Sequence, residues 1–272
     1  MTGVQTCALP IYQTAECVVL VVVQNSLMEV SALKVRIKFR KYGVMKFIGH
    51  LDMMRYFQKA MRRADIDICY SEGFSPHQIM SFAAPLGVGI TSDGEYLDIE
   101  VHSSRSSKES MAALNQTMVP GVEIRGYVKL PDSAKTAMSI VAAADYVLSY
   151  KEGYPVMHTK TEWEALLQEV FFEQPSFVIM KKTKKSEKEI DLKPLIYDLK
   201  VQGTEEQPEF YIKLSTGSTD NIKPELLLSS IYAAAGLEYD ANAIQIHRND
   251  VYAKEDQTFI SLLDMGEEIL NS

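Results

Sequence analysis

The sequence predicts an α+β fold made of two successive strand–helix–strand–strand–helix–strand units. Three observations indicate this fold: short segments with alternating apolar residues, amphipathic segments between them, and the same order of elements in both halves of the chain. Alternation with a period of two is typical of a half-buried strand, and apolar residues at i, i+3, i+4 and i+7 are typical of a helix. We therefore expect tandem ferredoxin-like (βαββαβ) domains, with antiparallel sheets and helices on one face.

The first unit begins with a strand in LKVRIKFRKYG, where Val35, Ile37 and Phe39 alternate with basic residues. A helix follows in HLDMMRYFQKAMRRADI, whose apolar residues recur at helical spacing. The segments SFAAPLGVG and EYLDIEVH supply two strands. SSRSSKESMAALNQTMV opens with cap-type serines and continues as a helix, and VEIRGYVKL is the last strand. We assign this unit to residues 33–132.

The second unit repeats that order. ADYVLSYK is a strand, and TKTEWEALLQEVFFE is a helix with a Thr cap and an acidic first turn. SFVIMKKTKKSEKEIDLKPLIYDLKVQG contains two strands around a lysine-rich turn, and PEFYIKLST is another strand. KPELLLSSIYAAAG is a helix that ends at Gly236, and AIQIHRNDVYA is the final strand. We assign this unit to residues 140–255 and leave 256–272 as a C-terminal tail.

Residues 1–32 are expected to be a non-native leader. MTGVQTCALPI, at 1–11, matches the translation of a widely used sequencing adapter and lacks the basic start of a signal peptide. Residues 12–32 would then be an upstream untranslated region, because a ribosome-binding core can be encoded shortly before Leu33, itself a possible TTG start codon. A genuine edge strand in the apolar run at 18–23 is the alternative.

The composition indicates a globular protein of the cytoplasm. The chain is 46% hydrophobic and 24% charged, and no apolar stretch approaches the roughly 20 residues that span a bilayer. Cys69 is the only cysteine outside the leader, so neither a disulfide framework nor an iron–sulfur motif is predicted. The sequence also has no P-loop, GxSxG or HExxH motif. We expect no cofactor and no metal, and a non-catalytic role is favoured.

Basic charge is concentrated at the start of the first unit. Between Leu33 and Ser75, ten Lys and Arg residues stand against four acidic ones, in a chain whose net charge is −8. Such a local excess predicts binding to a polyanion such as RNA, whereas pairing with the acidic remainder of the chain explains it equally well. The candidate anion-binding residues are Lys38, Arg40, Arg55, Lys59, Arg62 and Arg63. Arg55, Lys59 and Arg62 lie at i, i+4 and i+7, on one side of the predicted helix.

The densest polar grouping combines GHLD at 49–52 with YSEGFSPHQ at 70–78. His50 and Asp52 open the first helix, and His77 lies in the loop after it. Either histidine could act as a general acid or base, and the three residues together are of a type that binds a single metal ion. A surface histidine and a capping aspartate are the structural alternatives, and we assign no metal site.

Turn chemistry alone explains two residues of the loop, Gly73 and Pro76. Phe74 either stacks against an RNA base from an exposed position or caps the hydrophobic core, and the pattern favours the core. Together with Tyr70 and His77, these residues are the candidates for shaping a binding site.

Two stretches resemble a known family. KFRKYGVMKFIGHLDMMRYFQKAMRRADIDICYSEGFSPHQIMSFAAPLGVGITSDGEYLDIE resembles the signature of the radical SAM-associated (radical SAM-linked) proteins of uncharacterised function, and EIDLKPLIYDL resembles their downstream block. The resemblance runs from Leu33 to about Tyr252. It implies a partner, a radical SAM protein of the cobalamin-binding type, and the family's gene neighbourhood implies RNA or a ribosomal component as the target. The family has no established catalytic residues; its motif positions here are His50, Asp52, Tyr70, Gly73, Phe74, Pro76 and His77.

We therefore expect an accessory protein that binds RNA or a ribosome-related substrate beside a radical SAM enzyme, with no membrane partner. One alternative is a metal-free enzyme that processes or modifies RNA with His50 or His77 as acid or base. Another is a protein–protein adaptor whose basic face docks on an acidic surface of the radical SAM enzyme.

Overall fold

The computed structural model describes residues 32–182, 187–217 and 221–271. The predicted leader, residues 1–32, lies outside this part of the chain except for its last residue, and the tip of the lysine-rich turn at 183–186 also lies outside it.

The N-terminal half contains the six predicted elements in the predicted order. They are β1 Leu33–Lys41, α1 His50–Arg63, β2 Met80–Phe82, β3 Thr91–Val101, α2 Ser107–Thr117 and β4 Val122–Lys129. β1 runs antiparallel to both β3 and β4, and β2 pairs with β3. The strands of this half therefore lie in the order β4-β1-β3-β2.

The C-terminal half repeats that strand order with an insertion. Its elements are α3 Ala137–Ile140, β5 Val141–Tyr150, α4 Lys160–Leu167, β6 Val178–Lys182, β7 Glu187–Asp191, β8 Ile196–Gly203, β9 Pro208–Ser215, α5 Pro224–Ala234 and β10 Ile244–Glu255. Four strands lie in the order β10-β5-β9-β8, and β6 pairs with β7 in a separate hairpin. A short 3-10 turn at Lys193–Leu195, which contains Pro194, separates β7 from β8.

The two halves share one sheet. β3 and β10 pair in parallel at two positions, where His247 faces Thr91 and Arg248 faces Ser92. Ser31–Ser272 forms one compact unit. The α+β class is confirmed, whereas the division into two ferredoxin-like domains stays a prediction, because the halves are continuous through this sheet.

Alternation along β1 decides which side chains face the helices. Val35, Ile37 and Phe39 are buried with Phe57 and Met61 of α1 in one hydrophobic cluster. Each such side chain contributes about 1.5–3 kcal/mol to stability when fully buried. A second cluster lies between α4, α5 and the strands of the C-terminal half. Within the described residues, no helix is both long enough and apolar enough to cross a membrane.

Residues 256–271, predicted as a tail, form two further strands. β11 (Thr258–Ser261) pairs with β10, and β12 (Glu267–Glu268) pairs with β4. The fully buried Leu262 lies in the turn between them. This segment therefore connects the C-terminal half to the far edge of the N-terminal half. Its strands are only four and two residues long, which is too short for periodicity to reveal.

Candidate nucleic-acid interface

The basic residues of β1 form ion pairs within the chain. Lys38 Nζ lies 2.7 Å from Asp250 Oδ2, and both side chains are largely buried. Arg40 Nε lies 2.6 Å from Asp93 Oδ1, and its Nη1 lies 3.3 Å from Glu123 Oε2. The hydrogen bond to Asp93 raises the pKa of the Arg40 guanidinium. Lys38 and Arg40 were candidates for anion binding, but their charges are already paired within the chain. We therefore leave both residues out of the interface.

Arg36, which alternates with them on the same side of β1, is fully buried. Its Nε and Nη2 donate to the two carboxylate oxygens of Asp98 at 2.7 and 3.0 Å, and Nη1 donates to the Leu262 carbonyl at 3.2 Å. Asp98 also accepts a hydrogen bond from the Ala137 amide. The second face of the N-terminal sheet is thus an ionic layer covered by residues from later in the chain.

The basic residues of α1 differ, since they are exposed. Arg55 Nη1 lies 3.2 Å from Asp52 Oδ1, but both side chains are about two-thirds exposed, and such surface pairs contribute only about 0–1 kcal/mol. Lys59, Arg62 and Arg63 are exposed and have no carboxylate within 4.0 Å among the described residues. We call Arg55, Lys59 and Arg62 the α1 stripe.

The composition of α1 explains why its cations face outward. Met53, Phe57, Ala60 and Met61 are buried against the sheet, so the opposite side of the helix faces solvent. The helix also has an acidic residue in its first turn and two arginines in its last turn, in agreement with the helix dipole.

The loop at 70–77 is closed by its own hydrogen bonds. Ser71 N–H donates to the His77 carbonyl at 2.8 Å, and His77 N–H donates to Ser71 Oγ at 3.1 Å. Ser71 Oγ also lies 2.7 Å from His77 Nδ1, and Tyr70 pairs with Gln78 in a β-bridge. His77 therefore fastens the base of the loop.

Phe74 stands at the tip of this loop and is fully exposed, with a relative accessibility of 111%. Gly73 beside it has φ +102°, a conformation that glycine adopts without strain. Pro76, also exposed, restricts the backbone on the other side. The expectation that Phe74 caps the core is wrong, because the closed loop holds its ring away from the protein.

The loop and α1 meet at one backbone carbonyl. Gln58 O accepts hydrogen bonds from Gln78 Nε2 at 3.2 Å and from Arg62 Nε at 3.3 Å. Gln78 Nε2 also lies 3.4 Å from the hydroxyl of Tyr70. These contacts bring the base of the Phe74 loop beside the C-terminal half of the α1 stripe.

His50 lies away from this junction. It is the first residue of α1 and packs edge-on against Phe82, with 5.1 Å between ring centroids. It adjoins a small cavity with Lys41, whose pKa is lowered by burial. Eight residues of helix separate His50 from Gln58, where the base of the loop contacts α1, about 12 Å along the axis. The structure thus does not bring His50 and Asp52 together with His77, and the described residues contain no group of three or more metal-binding side chains.

A polar cavity of about 610 Å³ adjoins the end of the α1 stripe. Arg62 and Tyr70 line it from the interface, and Ser103 and Arg105 line it from the segment before α2. Arg105 is not predicted from the sequence, because the run SSRSS is typical of the cap of a helix. An arginine among cap residues was the only signal available.

The sequence matches one known protein family. The family described as "Uncharacterized protein conserved in bacteria (DUF2344)" matches residues 34–224. A search of curated proteins gives no match. A solved structure described as "Crystal Structure of a Cbf5-Nop10-Gar1 Complex" is 12% identical with a TM-score of 0.42 over 84% of this chain, which spans about half (52%) of that one.

A second solved structure, "Crystal Structure of an Unknown Protein from Galdieria sulphuraria", is 10% identical with a TM-score of 0.22, over 80% of this chain and 97% of that one. Both similarities are too low to carry an argument about fold or function.

Proposed function

This chain belongs to the DUF2344 family of uncharacterised bacterial proteins, and we propose that it is an accessory protein that binds RNA without acting on it chemically. The observation that carries the proposal is the exposed α1 stripe, which has few carboxylate partners and lies beside a hydrogen-bonded loop with an exposed Phe74. The first supplies charge for a phosphate backbone, and the second supplies a ring for a base.

The α1 stripe fits a phosphate backbone because its cations are spaced along one helix side. Lys59 and Arg62 are about 6 and 10.5 Å along the axis from Arg55. Cations without strong internal partners release counterions from a nucleic acid on binding, which makes the affinity salt-dependent. The acidic remainder of the chain disfavours coating by nucleic acid elsewhere, so a single localised contact face is expected.

Phe74 adds a contact that a simple anion cannot use. Stacking of one unpaired base on an aromatic ring contributes about 1–3 kcal/mol to binding. Gly73 and the Ser71–His77 bonds hold the loop in place before RNA arrives, so little ordering entropy is lost on binding. Single-stranded or looped RNA is therefore the expected ligand rather than a continuous duplex.

The sequence resemblance supports two finer parts of the proposal. It suggests that the partner is a radical SAM protein of the cobalamin-binding type and that the RNA is connected with the ribosome. The cytoplasm is the proposed location, in keeping with Cys69, which is buried and unpaired.

The proposal is tested by measuring the affinity of the full chain for single-stranded RNA at low salt. We expect the triple variant Arg55→Ala/Lys59→Ala/Arg62→Ala to bind at least tenfold more weakly. The matched control is Lys129→Ala/Lys223→Ala/Lys254→Ala, which removes the same charge from exposed positions elsewhere. Equal losses in both variants would show non-specific attraction and overturn the proposal.

A protein–protein adaptor is a second candidate, favoured by a separate observation. Val44, Phe47, Leu51 and Val88 are each more than 60% exposed. They lie in two segments that the hydrogen bond from Gly89 N–H to the Lys46 carbonyl joins. Exposed apolar side chains at this density are typical of interaction sites. Co-purification with the radical SAM protein from RNase-treated lysate, lost in Phe47→Asp/Leu51→Asp, would support it; unchanged recovery of the variant would contradict it.

A further inference from the structure

The polar cavity between the C-terminal end of α1 and the start of α2 is not explained by the RNA-binding proposal. Its volume of about 610 Å³ lies in the range of small-ligand sites, about 300–1,000 Å³. Arg62 belongs both to the α1 stripe and to the cavity lining, so the two surfaces are continuous. We propose that this cavity binds one nucleotide of the RNA, a nucleoside monophosphate unit; the proposal rests on the RNA-binding function.

Arg105 is a fixed phosphate ligand in this cavity. Its Nη2 donates to the carbonyls of Ala64 and Asp65 at 2.7 and 2.8 Å, the two residues that directly follow α1. Nε and Nη1 have no hydrogen-bond partner among the described residues. A guanidinium held by one nitrogen keeps its other donors available in a defined geometry. Together with Arg62 it provides two cations for one phosphate.

Acidic and hydroxyl groups in the same cavity exclude a bare anion as the preferred ligand. Asp65 and Asp67 also line it, so they offset the charge of the two arginines. Asp67 Oδ2 accepts a hydrogen bond from Ser103 Oγ at 2.7 Å, which orients its carboxylate. Carboxylates at nucleotide sites accept hydrogen bonds from ribose hydroxyls. A ligand that presents both a phosphate and hydroxyl donors satisfies this set, whereas inorganic phosphate does not.

Tyr70 supplies the surface for the base. About half of this residue is exposed, and it lines the cavity at the base of the Phe74 loop. Its hydroxyl contacts Gln78, which in turn contacts the α1 backbone, so the ring is anchored beside Arg62. Stacking on an anchored tyrosine is tolerant of base identity. The cavity therefore recognises the ribose-phosphate unit and accepts any base.

The test is calorimetric titration of the full chain with adenosine monophosphate, adenosine and inorganic phosphate. We expect the monophosphate to bind at least tenfold more tightly than the other two. Arg105→Gln keeps a donor for the Ala64 and Asp65 carbonyls but removes the charge, and it loses the preference for the monophosphate. Tyr70→Ala weakens binding more than Tyr70→Phe, which keeps the ring for stacking and loses only the hydroxyl contact with Gln78. Lys223→Ala, an exposed position outside both the cavity lining and the α1 stripe, leaves mononucleotide binding unchanged. Equal binding of phosphate and monophosphate, or an unaffected Arg105→Gln, overturns the proposal.

RNA oligonucleotides of one sequence distinguish where the nucleotide comes from. Tighter binding of an oligonucleotide with a terminal phosphate, lost in Arg105→Gln, shows that the cavity takes a strand end. The alternative result is equal binding of oligonucleotides with different ends and tighter binding of RNA than of DNA. If Asp67→Asn removes that preference for RNA, the cavity takes an extruded internal nucleotide. RNA binding that needs the α1 stripe but shows neither preference overturns the cavity proposal and leaves the RNA-binding function standing.

Discussion

Strand β1 and helix α1 carry basic residues in the same short segment, yet the fold treats the two sets in opposite ways. Arg36, Lys38 and Arg40 of β1 each meet a carboxylate, and Arg36 is completely buried. Lys34 and Lys41 of the same strand donate to backbone carbonyls. The cations of α1 face solvent, and among the described residues only Arg55 has a carboxylate within 4.0 Å, in a weak exposed pair. A local excess of charge thus divides into a structural part and a part available for a ligand.

The difference follows from what covers each element. The side of β1 that faces away from the helices is covered by residues from the C-terminal half and the final segment, which supply Asp250 and the Leu262 carbonyl. The outer side of α1 is covered by nothing in the described residues beyond its own loop. The proposed RNA contact therefore falls on the charges for which the fold provides few carboxylate partners.

The largest expected effect is a loss of stability when a paired basic residue of β1 is removed. Arg36→Ala leaves Asp98 buried without its cation, and breaking a buried pair costs about 3–5 kcal/mol of unfolding free energy. Urea denaturation measures it, with Arg55→Ala as the exposed control, for which we expect a change within about 0.5 kcal/mol. Similar losses in the two variants would erase the proposed distinction between β1 and α1.

The next largest effect concerns the exposed loop. Phe74→Ala should reduce the affinity for single-stranded RNA by about 1–3 kcal/mol, because it removes one stacking surface. Its unfolding free energy should stay within about 0.5 kcal/mol of the wild type, since the ring contacts no core. Phe74→Tyr keeps a ring and should restore binding. Loss of stability without loss of affinity would be the contrary result.

A reciprocal pair of substitutions compares β1 and α1 directly. Lys38→Ala should lower stability by roughly 1–3 kcal/mol, because Asp250 loses its only cationic partner among the described residues, and should leave RNA binding unchanged. Lys59→Ala should do the reverse and lower the slope of log affinity against log salt by about 0.7. Denaturation and fluorescence anisotropy at several salt concentrations measure both. If Lys38→Ala alone weakened RNA binding, the assignment of the two sets would be reversed.

The smallest effect is a pH dependence in the ionic layer beside β1. Tyr96 donates to Asp250 at 2.6 Å, and burial, together with that carboxylate, raises its pKa above the usual value near 10. Above pH 10 the unfolded chain loses this proton first, so the stabilisation that Tyr96 provides is complete below pH 10 and declines as the pH rises further. The stability advantage of the wild type over Tyr96→Phe should therefore shrink between pH 9 and pH 11. A stability difference between the two proteins that stays constant over this pH range would contradict the prediction.

The order of the elements and the outward side of α1 could be predicted, because both depend on local periodicity. The pairing of β1 could not, since Lys38 and Asp250 are 212 residues apart. The position of Phe74 was predicted wrongly, because loop closure depends on the contact between Ser71 and His77, which no pattern reveals. Arg105 was missed for a similar reason: only the folded chain places it beside the end of α1.

The most direct test of the division between β1 and α1 is the salt dependence of RNA binding by Arg55→Ala/Lys59→Ala/Arg62→Ala. If the α1 stripe makes three phosphate contacts, the slope of log affinity against log salt should be shallower than that of the wild type by about 2. An unchanged slope would show that the phosphates are bound elsewhere and would contradict the assignment of the α1 stripe as the RNA-binding face.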